Sequence, residues 1–240
     1  MPEAAHQPRT CWRTSRAATR SAAGTTWATP TTPKARAGSS RWWTAPSPHS
    51  TLKEGDTPSW FYFLPTGPSD SAHPEWGGWG GRFQRTPEGV YRDAQDTVGE
   101  VTHARASVWR WRPQFQSHFQ ARMDWCVKPR SEANHAPIAA CNGDSTRNVL
   151  EIAAAPGARV KLTAAGSSDP DGHKLSYRRW VYREAGTYRG EVKLSAPEAP
   201  ETDLAVPNDA ASREIHVVLE VTDDGAPPLT SYRRTLVKAQ

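Results

Sequence analysis

The side chains best placed to do chemistry lie in one glycine-rich stretch, His73-Pro74-Glu75-Trp76-Gly77-Gly78-Trp79-Gly80-Gly81-Arg82. Two indoles flanking Gly-Gly could present flat apolar faces to the C–H groups of a pyranose ring. His73, Glu75 and Arg82 could then bond its hydroxyls. An exposed apolar patch of this kind marks a binding surface. The other use of the same residues is structural: the indoles pack the loop down and the glycines permit its turns. Elsewhere Asp169, Asp171, Asp223 and Asp224 sit in turns that could meet at one end of a β-sandwich and hold calcium, or could simply bond their own backbone. The three cysteines, Cys11, Cys126 and Cys141, form no C-x-x-C pair and have no histidine at zinc-ligand spacing. The residue pattern suggests a buried thiol at Cys126 and an incidental one at Cys141, and leaves open whether the two pair. His216 alternates within a strand and suits a satisfied or surface histidine better than a ligand.

The composition is poor for one packed globule of 240 residues, with 36% hydrophobic residues, 21 Pro and 17 Gly. Its net charge of +5 is concentrated in the first fifty residues, which carry seven Lys or Arg against one Glu. The remainder is close to neutral, so the basic balance is that of a tail, and no nucleic-acid partner is expected. No apolar run is long enough to span a membrane, and no signal peptide is readable at Met1.

From Pro2 to Ser50 there is no Val, Ile, Leu, Phe, Tyr or Met. Such a segment cannot bury enough area to offset its ordering entropy, so residues 1–50 are read as a disordered tail. Its mixture of Trp, Arg, Pro and Ala even suggests sequence foreign to a native domain. The texture changes at Thr51. Ser59-Trp60-Phe61-Tyr62-Phe63-Leu64 reads as a buried strand, and Pro65 to about Thr97 as a long loop. Pro113 suits the first turn of a helix whose Phe115, Phe119 and Met123 would form one apolar face, running to about Cys126. Trp109, Trp111 and Trp125 are expected in the core.

After a polar linker, short strands alternate with turns: 159–163, 175–182, 191–194, 202–206, 215–221 and 232–237. The turn Ser168-Asp169-Pro170-Asp171-Gly172 has a mechanism, because Asp bonds back to the backbone, Pro presets φ and Gly supplies positive φ. Strands at this spacing with no helical pattern between them mean a sandwich.

Gly166-Ser167-Ser168-Asp169-Pro170-Asp171-Gly172, Leu175-Ser176-Tyr177, Trp180 and Leu219-Glu220-Val221-Thr222-Asp223-Asp224-Gly225 resemble the polycystic-kidney-disease (PKD) type of immunoglobulin-like domain. The resemblance implies Trp180 between the sheets. Over residues 51–240, the 73–82 stretch, Glu54-Gly55-Asp56-Thr57-Pro58-Ser59, Trp109-Arg110-Trp111-Arg112 and Ala121-Arg122-Met123-Asp124-Trp125-Cys126 resemble bacterial cellulose-binding proteins with a nucleoside-hydrolase-like domain. That family implies an α/β hydrolase-like domain followed by the sandwich. Nucleoside hydrolases hold calcium with an Asp cluster near their N-terminus, and residues 1–50 contain no Asp. Asp56 is similar in position to the late Asp that completes such a site, though it also suits an Asp-Thr-Pro turn.

The expected fold class is therefore mainly β: a disordered tail (1–50), a partial α/β remnant of the hydrolase-like domain (51–133) and an immunoglobulin/PKD-like sandwich (134–240). The resemblance implies a non-catalytic carbohydrate-binding or accessory protein, monomeric and extracellular or periplasmic, with polysaccharide such as cellulose as partner. No cofactor is expected beyond calcium at Asp56. The alternatives are a fragment of a glycosidic-bond hydrolase and a structural adhesion module.

Overall fold

The computed structural model describes residues 68–240 together with Phe61 and Leu64. The chain divides into two units, 1–50 and 51–240. The tail and Asp56 lie outside the described residues. So does most of the aromatic run read as a strand, of which Phe61 carries helical backbone.

The stretch expected as one long loop is more ordered than its Gly and Pro content suggests. A 3-10 turn at Pro74–Trp76 leads into two short hairpins, β1 (Phe83–Arg85) with β2 (Tyr91–Asp93) and β3 (Asp96–Val98) with β4 (Val101–His103). Strands of three residues are too short to show a period. Next come α1 (Ala106–Trp109) and α2 (Arg112–Val127). The Trp-Arg alternation at 109–112 therefore sits on helical turns. Pro113 occupies the first turn of α2, where its missing N–H costs nothing, and Lys128 closes the helix by donating its N–H to the Asp124 carbonyl at 2.8 Å.

The sandwich follows: β5 (Leu150–Ala154), β6 (Arg159–Thr163), β7 (Leu175–Val181), β8 (Lys193–Leu194), β9 (Glu201–Ala205), β10 (Arg213–Asp223) and β11 (Thr230–Ala239). One sheet runs β5-β11-β10-β7, with β5 parallel to β11 and the other pairs antiparallel; the second runs β6-β9-β8. The Asp-Pro-Asp-Gly turn forms as expected, with Gly172 at φ +81° and open space around it, so backbone conformation alone demands glycine there. Strand β5 carries no strong strand signal in its sequence, because Leu-Glu-Ile-Ala-Ala has little β-branched bulk.

Between the sheets pack Leu162, Leu204, Ile215, Val217, Leu219, Val221 and Val237. The opposite face of the four-stranded sheet is buried as well. There Trp79, Trp111, Tyr182, Val218 and Tyr232 form a second cluster with Phe61, Phe115 and Trp180 around it. This explains why β10 is almost continuously apolar: a strand covered on both faces loses its alternation. It also corrects the placing of Trp180. Register pairs Trp180 with Val218, on the outward face, against Trp111 at a centroid distance of 5.5 Å. The neighbouring Arg179 points between the sheets instead, donating to the carbonyls of Ala199 and Pro200 at 2.7 and 2.9 Å.

The polar exceptions on β10 find partners on the neighbouring strands of the same sheet. Glu220 accepts from the indole N–H of Trp180 at 2.9 Å. His216 Nδ1 accepts from Arg234 Nη1 at 3.1 Å. Burial, with the Arg234 charge beside it, pushes the His216 pKa down to about 2. The unfolded chain takes up that proton near pH 6.5, so between the two values the unfolded state holds the extra proton and acid favours unfolding. Stability should fall by about 1.4 kcal/mol per pH unit below 6.5 from this group alone, about 2.7 kcal/mol by pH 4.5. His216→Asn keeps an acceptor for Arg234 without titrating. Urea midpoints measured from pH 7 to 4.5 should show a flatter slope in the variant; parallel slopes would remove His216 as the cause.

Candidate functional site

The five residues singled out in the glycine-rich stretch do not converge on one surface. Trp76 is 7% exposed and Trp79 3%, so neither presents a free face, and the exposed sugar platform expected from them does not form. The physical reason is the outward face of the sheet: Trp79 packs into the second cluster there, and Trp76 covers His216. Trp76 stacks under His73 at 3.7 Å and meets the edge of His216 at 5.1 Å. His73 Nδ1 and Glu75 Oε1 remain accessible and pair with each other at 2.9 Å. Arg82 is buried, with its Nε donating to Asp96 Oδ1 at 2.7 Å. Gly77 and Gly78 are required by close approach, since a Cβ would meet Tyr182 Oη at 2.7 Å and clash with Ser69.

A concave site lies elsewhere, in a hollow of about 380 Å³ between α2 and the sandwich. From the chain before the sandwich come Trp79, His118, Arg122 and Trp125. From the sandwich side come Tyr232, the exposed Arg147 and the hydroxyl groups of Ser145, Thr146, Thr230 and Ser231. Trp125, expected in the core, is instead 39% exposed. Its Nε1 donates to the Asn134 carbonyl at 2.8 Å, and its ring lies parallel to His135 at 5.6 Å with the Arg122 guanidinium 5.5 Å from its centre. His118 Nε2 bonds the Thr230 carbonyl at 2.9 Å, and burial holds its pKa below the ordinary histidine value, so the ring is neutral at pH 7 with Nδ1 as its acceptor. Trp79 Nε1 reaches Tyr232 Oη at 3.4 Å. The hollow thus combines a part-exposed indole, two guanidinium groups, a neutral imidazole and a row of hydroxyls.

The helix that carries half of this site docks through an unexpected face. Phe115 packs on the second cluster, but Phe119 and Met123 face outward, exposed by 64% and 49%. The cysteines are reversed for the same reason. Cys126 follows that outer face and is exposed, while Cys141 is buried beneath β11 with its sulfur 3.6 Å from Thr235 Oγ1. Both thiols are free.

A two-sheet β-sandwich whose outer face is covered by the chain that precedes it is the class these features define. Two family models agree with it. The C-terminal domain of cellulose-binding protein Sde0182 matches residues 159–239, and the nucleoside hydrolase-like domain of cellulose-binding Sde182 matches residues 14–83. The chain belongs to this family. The second match crosses the composition change at Thr51, a likeness that a foreign tail would not carry beyond residue 14.

Among solved structures the chain is similar to a nucleoside hydrolase-related hypothetical protein from Saccharophagus degradans, described as associated with carbohydrate metabolism. Identity is 32% and the TM-score 0.68, over 80% of this chain and 49% of that one. The chain therefore spans about half the length of that protein. The PKD domain of the KIAA 1837 protein aligns at 18% identity and TM-score 0.29, over 38% of this chain and 81% of that domain. No curated protein matches the chain. Among the described residues no helix is long and apolar enough to cross a membrane.

Proposed function

We propose that the chain is a non-catalytic polysaccharide-binding accessory protein that takes a glucan such as cellulose in the hollow between α2 and the sandwich. The observation that carries this reading is the make-up of that hollow. An indole supplies a face for pyranose C–H groups, while guanidinium groups, imidazole and hydroxyls supply bonds for sugar oxygens. Its described lining brings no pair of carboxylates, which most glycoside hydrolysis uses as acid and base. The cellulose-binding name of the family agrees with the ligand class. A cellulose ligand implies action outside the cell.

The experiment is a pull-down of the full chain on amorphous cellulose and on soluble cello-oligosaccharides. Trp125→Ala should weaken binding about tenfold or more, since burying an aromatic face is worth about 1.5–3 kcal/mol. Arg147→Ala, at an exposed position, should weaken it without moving the melting temperature. Retention equal to the parent in both variants would sink the site.

A further inference from the structure

The turn that enters β7 leaves several ligand-type atoms unexplained by its own hydrogen bonds. Asp169 Oδ1 accepts the backbone N–H of Asp171 at 2.9 Å and of His173 at 3.0 Å, an ordinary Asx turn. From the linker, His135 donates its N–H to Asp171 Oδ2 at 2.7 Å, with its Nδ1 3.1 Å from both oxygens. Asp223 and Asp224 also serve the backbone: Asp223 Oδ1 accepts from Gly225 and Leu229, and Asp224 Oδ1 from Lys174. Among the described residues the ligand-type atoms of Asp223 and Asp224 do not gather with those of Asp169 and Asp171, so the quartet does not close on one ion.

A different set does converge. The Asp169 side chain is 1% exposed, yet its Oδ2 has no partner. His173 Nδ1 stands 3.4 Å from Asp169 Oδ1 and makes no hydrogen bond. Ligand atoms of Asp169, Asp171 and His173 all lie within 4.8 Å of one another, the one such group among the described residues. An independent observation comes from the linker. Asn134 is buried and lines the same hollow as Asp171 and His173. Its Nδ2 donates to Asp223 Oδ1 at 3.0 Å and to the Pro227 carbonyl at 2.8 Å, but its Oδ1 is unpaired. A buried acceptor without a donor costs about 1–3 kcal/mol, and native folds keep few of them. One cation with its bound water would satisfy all of these atoms together.

We infer that Asp169, Asp171 and His173 form a binding site for a first-row divalent cation of the zinc class. Two carboxylates and an imidazole suit zinc, which takes N and O ligands at about 2.0–2.2 Å in four-coordinate geometry. Calcium instead collects six to eight oxygens. Two ligands on a common zinc stand about 4 Å apart at most. Rotation of Asp171 and His173, both partly exposed, closes the present spread. Asp171 keeps a lone pair for the ion while it accepts from His135. The fourth position falls to water, with Asn134 Oδ1 as its acceptor. Bound there, the ion ties the 134–135 linker to the sandwich.

Zinc titration of the full chain by calorimetry, with parallel melting curves, tests the site. One ion per chain is expected, and a melting temperature raised by about 5 °C or more at a hundredfold excess over Kd. Asp171→Asn and His173→Ala should each weaken binding at least tenfold while folding normally. Zinc held as tightly by both variants, through Cys126 or other histidines, would overturn the site. So would the absence of heat and of a melting shift with the parent. Calcium binding that His173→Ala leaves unchanged would overturn the imidazole assignment.

Discussion

Arg234→Met is expected to destabilise the fold by about 3 kcal/mol or more. Arg234 lies near the middle of β11 on the outward face of the four-stranded sheet and is fully buried. No carboxylate among the described residues pairs with it at ion-pair distance. Burial lowers its pKa to about 10, so it is still a cation at pH 7. Backbone carbonyls hold the charge instead. Pro68 accepts from Nε at 3.0 Å and from Nη2 at 2.7 Å, and Trp76 and Gly77 accept from Nη2 at 3.0 and 2.9 Å. Nη1 reaches His216 Nδ1, and the guanidinium carbon lies 5.5 Å from the centre of the Tyr182 ring.

This one side chain fastens the 68–77 segment to the sheet through three carbonyls, which places Trp76 over His216 and Trp79 in the second core. Methionine fills similar volume but leaves those carbonyls and the imidazole without a donor. Lysine supplies charge but not the planar fork, so Arg234→Lys should also destabilise, by less. Urea unfolding of parent and variants measures the loss. Limited proteolysis should show earlier cutting within 68–77 in Arg234→Met. A midpoint unchanged to within about 0.5 kcal/mol would mean that the segment is held by its apolar contacts alone.

How much of this was legible follows from what each residue could signal. The sandwich was readable because its strands alternate and its turn residues act locally: Asp169 and Gly172 do at 169–172 what their chemistry dictates. The second core was not, although β10 carried a hint of it. A run such as Ile215–Val221 without alternation means burial on both faces, and His216 and Glu220 within it bond to Arg234 and Trp180 on the neighbouring strands. Nothing in the sequence named the covering layer. Trp76 and Trp79 sat in a glycine-rich stretch, and glycine signals conformational freedom, not exposure. Helix α2 misled in the opposite way. Phe115, Phe119 and Met123 recur every four residues, which drifts about 40° per step around a helix of 3.6 residues per turn. The face that docks is carried by Phe115, His118 and Ala121, with Arg122 and Trp125 at the hollow, so half of it is polar and gives no hydrophobic signal. The hollow itself joins these residues to Arg147 and Ser231, whose spacing carries no local pattern at all.

The Asp96 cluster locks the β3–β4 hairpin onto the same sheet, and breaking it should have an effect of similar size. Asp96→Ala is expected to cost about 3–5 kcal/mol. The carboxylate is fully buried, with Oδ1 bonded by Arg82 Nε at 2.7 Å and Oδ2 by the Tyr182 hydroxyl at 2.6 Å. Arg110 Nε stands 3.3 Å from Oδ2, and its Nη2 donates to Glu184 at 3.1 Å and to the Thr97 carbonyl at 3.2 Å. Its guanidinium also lies 4.2 Å from the centre of the Tyr182 ring. Burial keeps the Tyr182 phenol protonated well above the ordinary range, so it remains a donor to Asp96 at any pH the fold survives.

Removing the carboxylate leaves two guanidinium groups near one another with Glu184 as the remaining nearby anion, and that is the costly way to break a buried ion pair. Asp96→Asn keeps the shape and one acceptor, so its cost should be intermediate. Tyr182→Phe removes one charge-assisted bond and should cost about 1.5–3 kcal/mol. Because both act through the same oxygen, the double variant Asp96→Asn, Tyr182→Phe should cost less than the two single changes added, with a coupling of at least 0.5 kcal/mol. Trp111 and Trp180 lie against Tyr182, so urea unfolding followed by tryptophan fluorescence reports on this interface directly. Strict additivity would mean that Tyr182 and Asp96 act apart. A loss below about 1 kcal/mol for Asp96→Ala would mean that water reaches the arginines and that the hairpin is held by its apolar contacts instead.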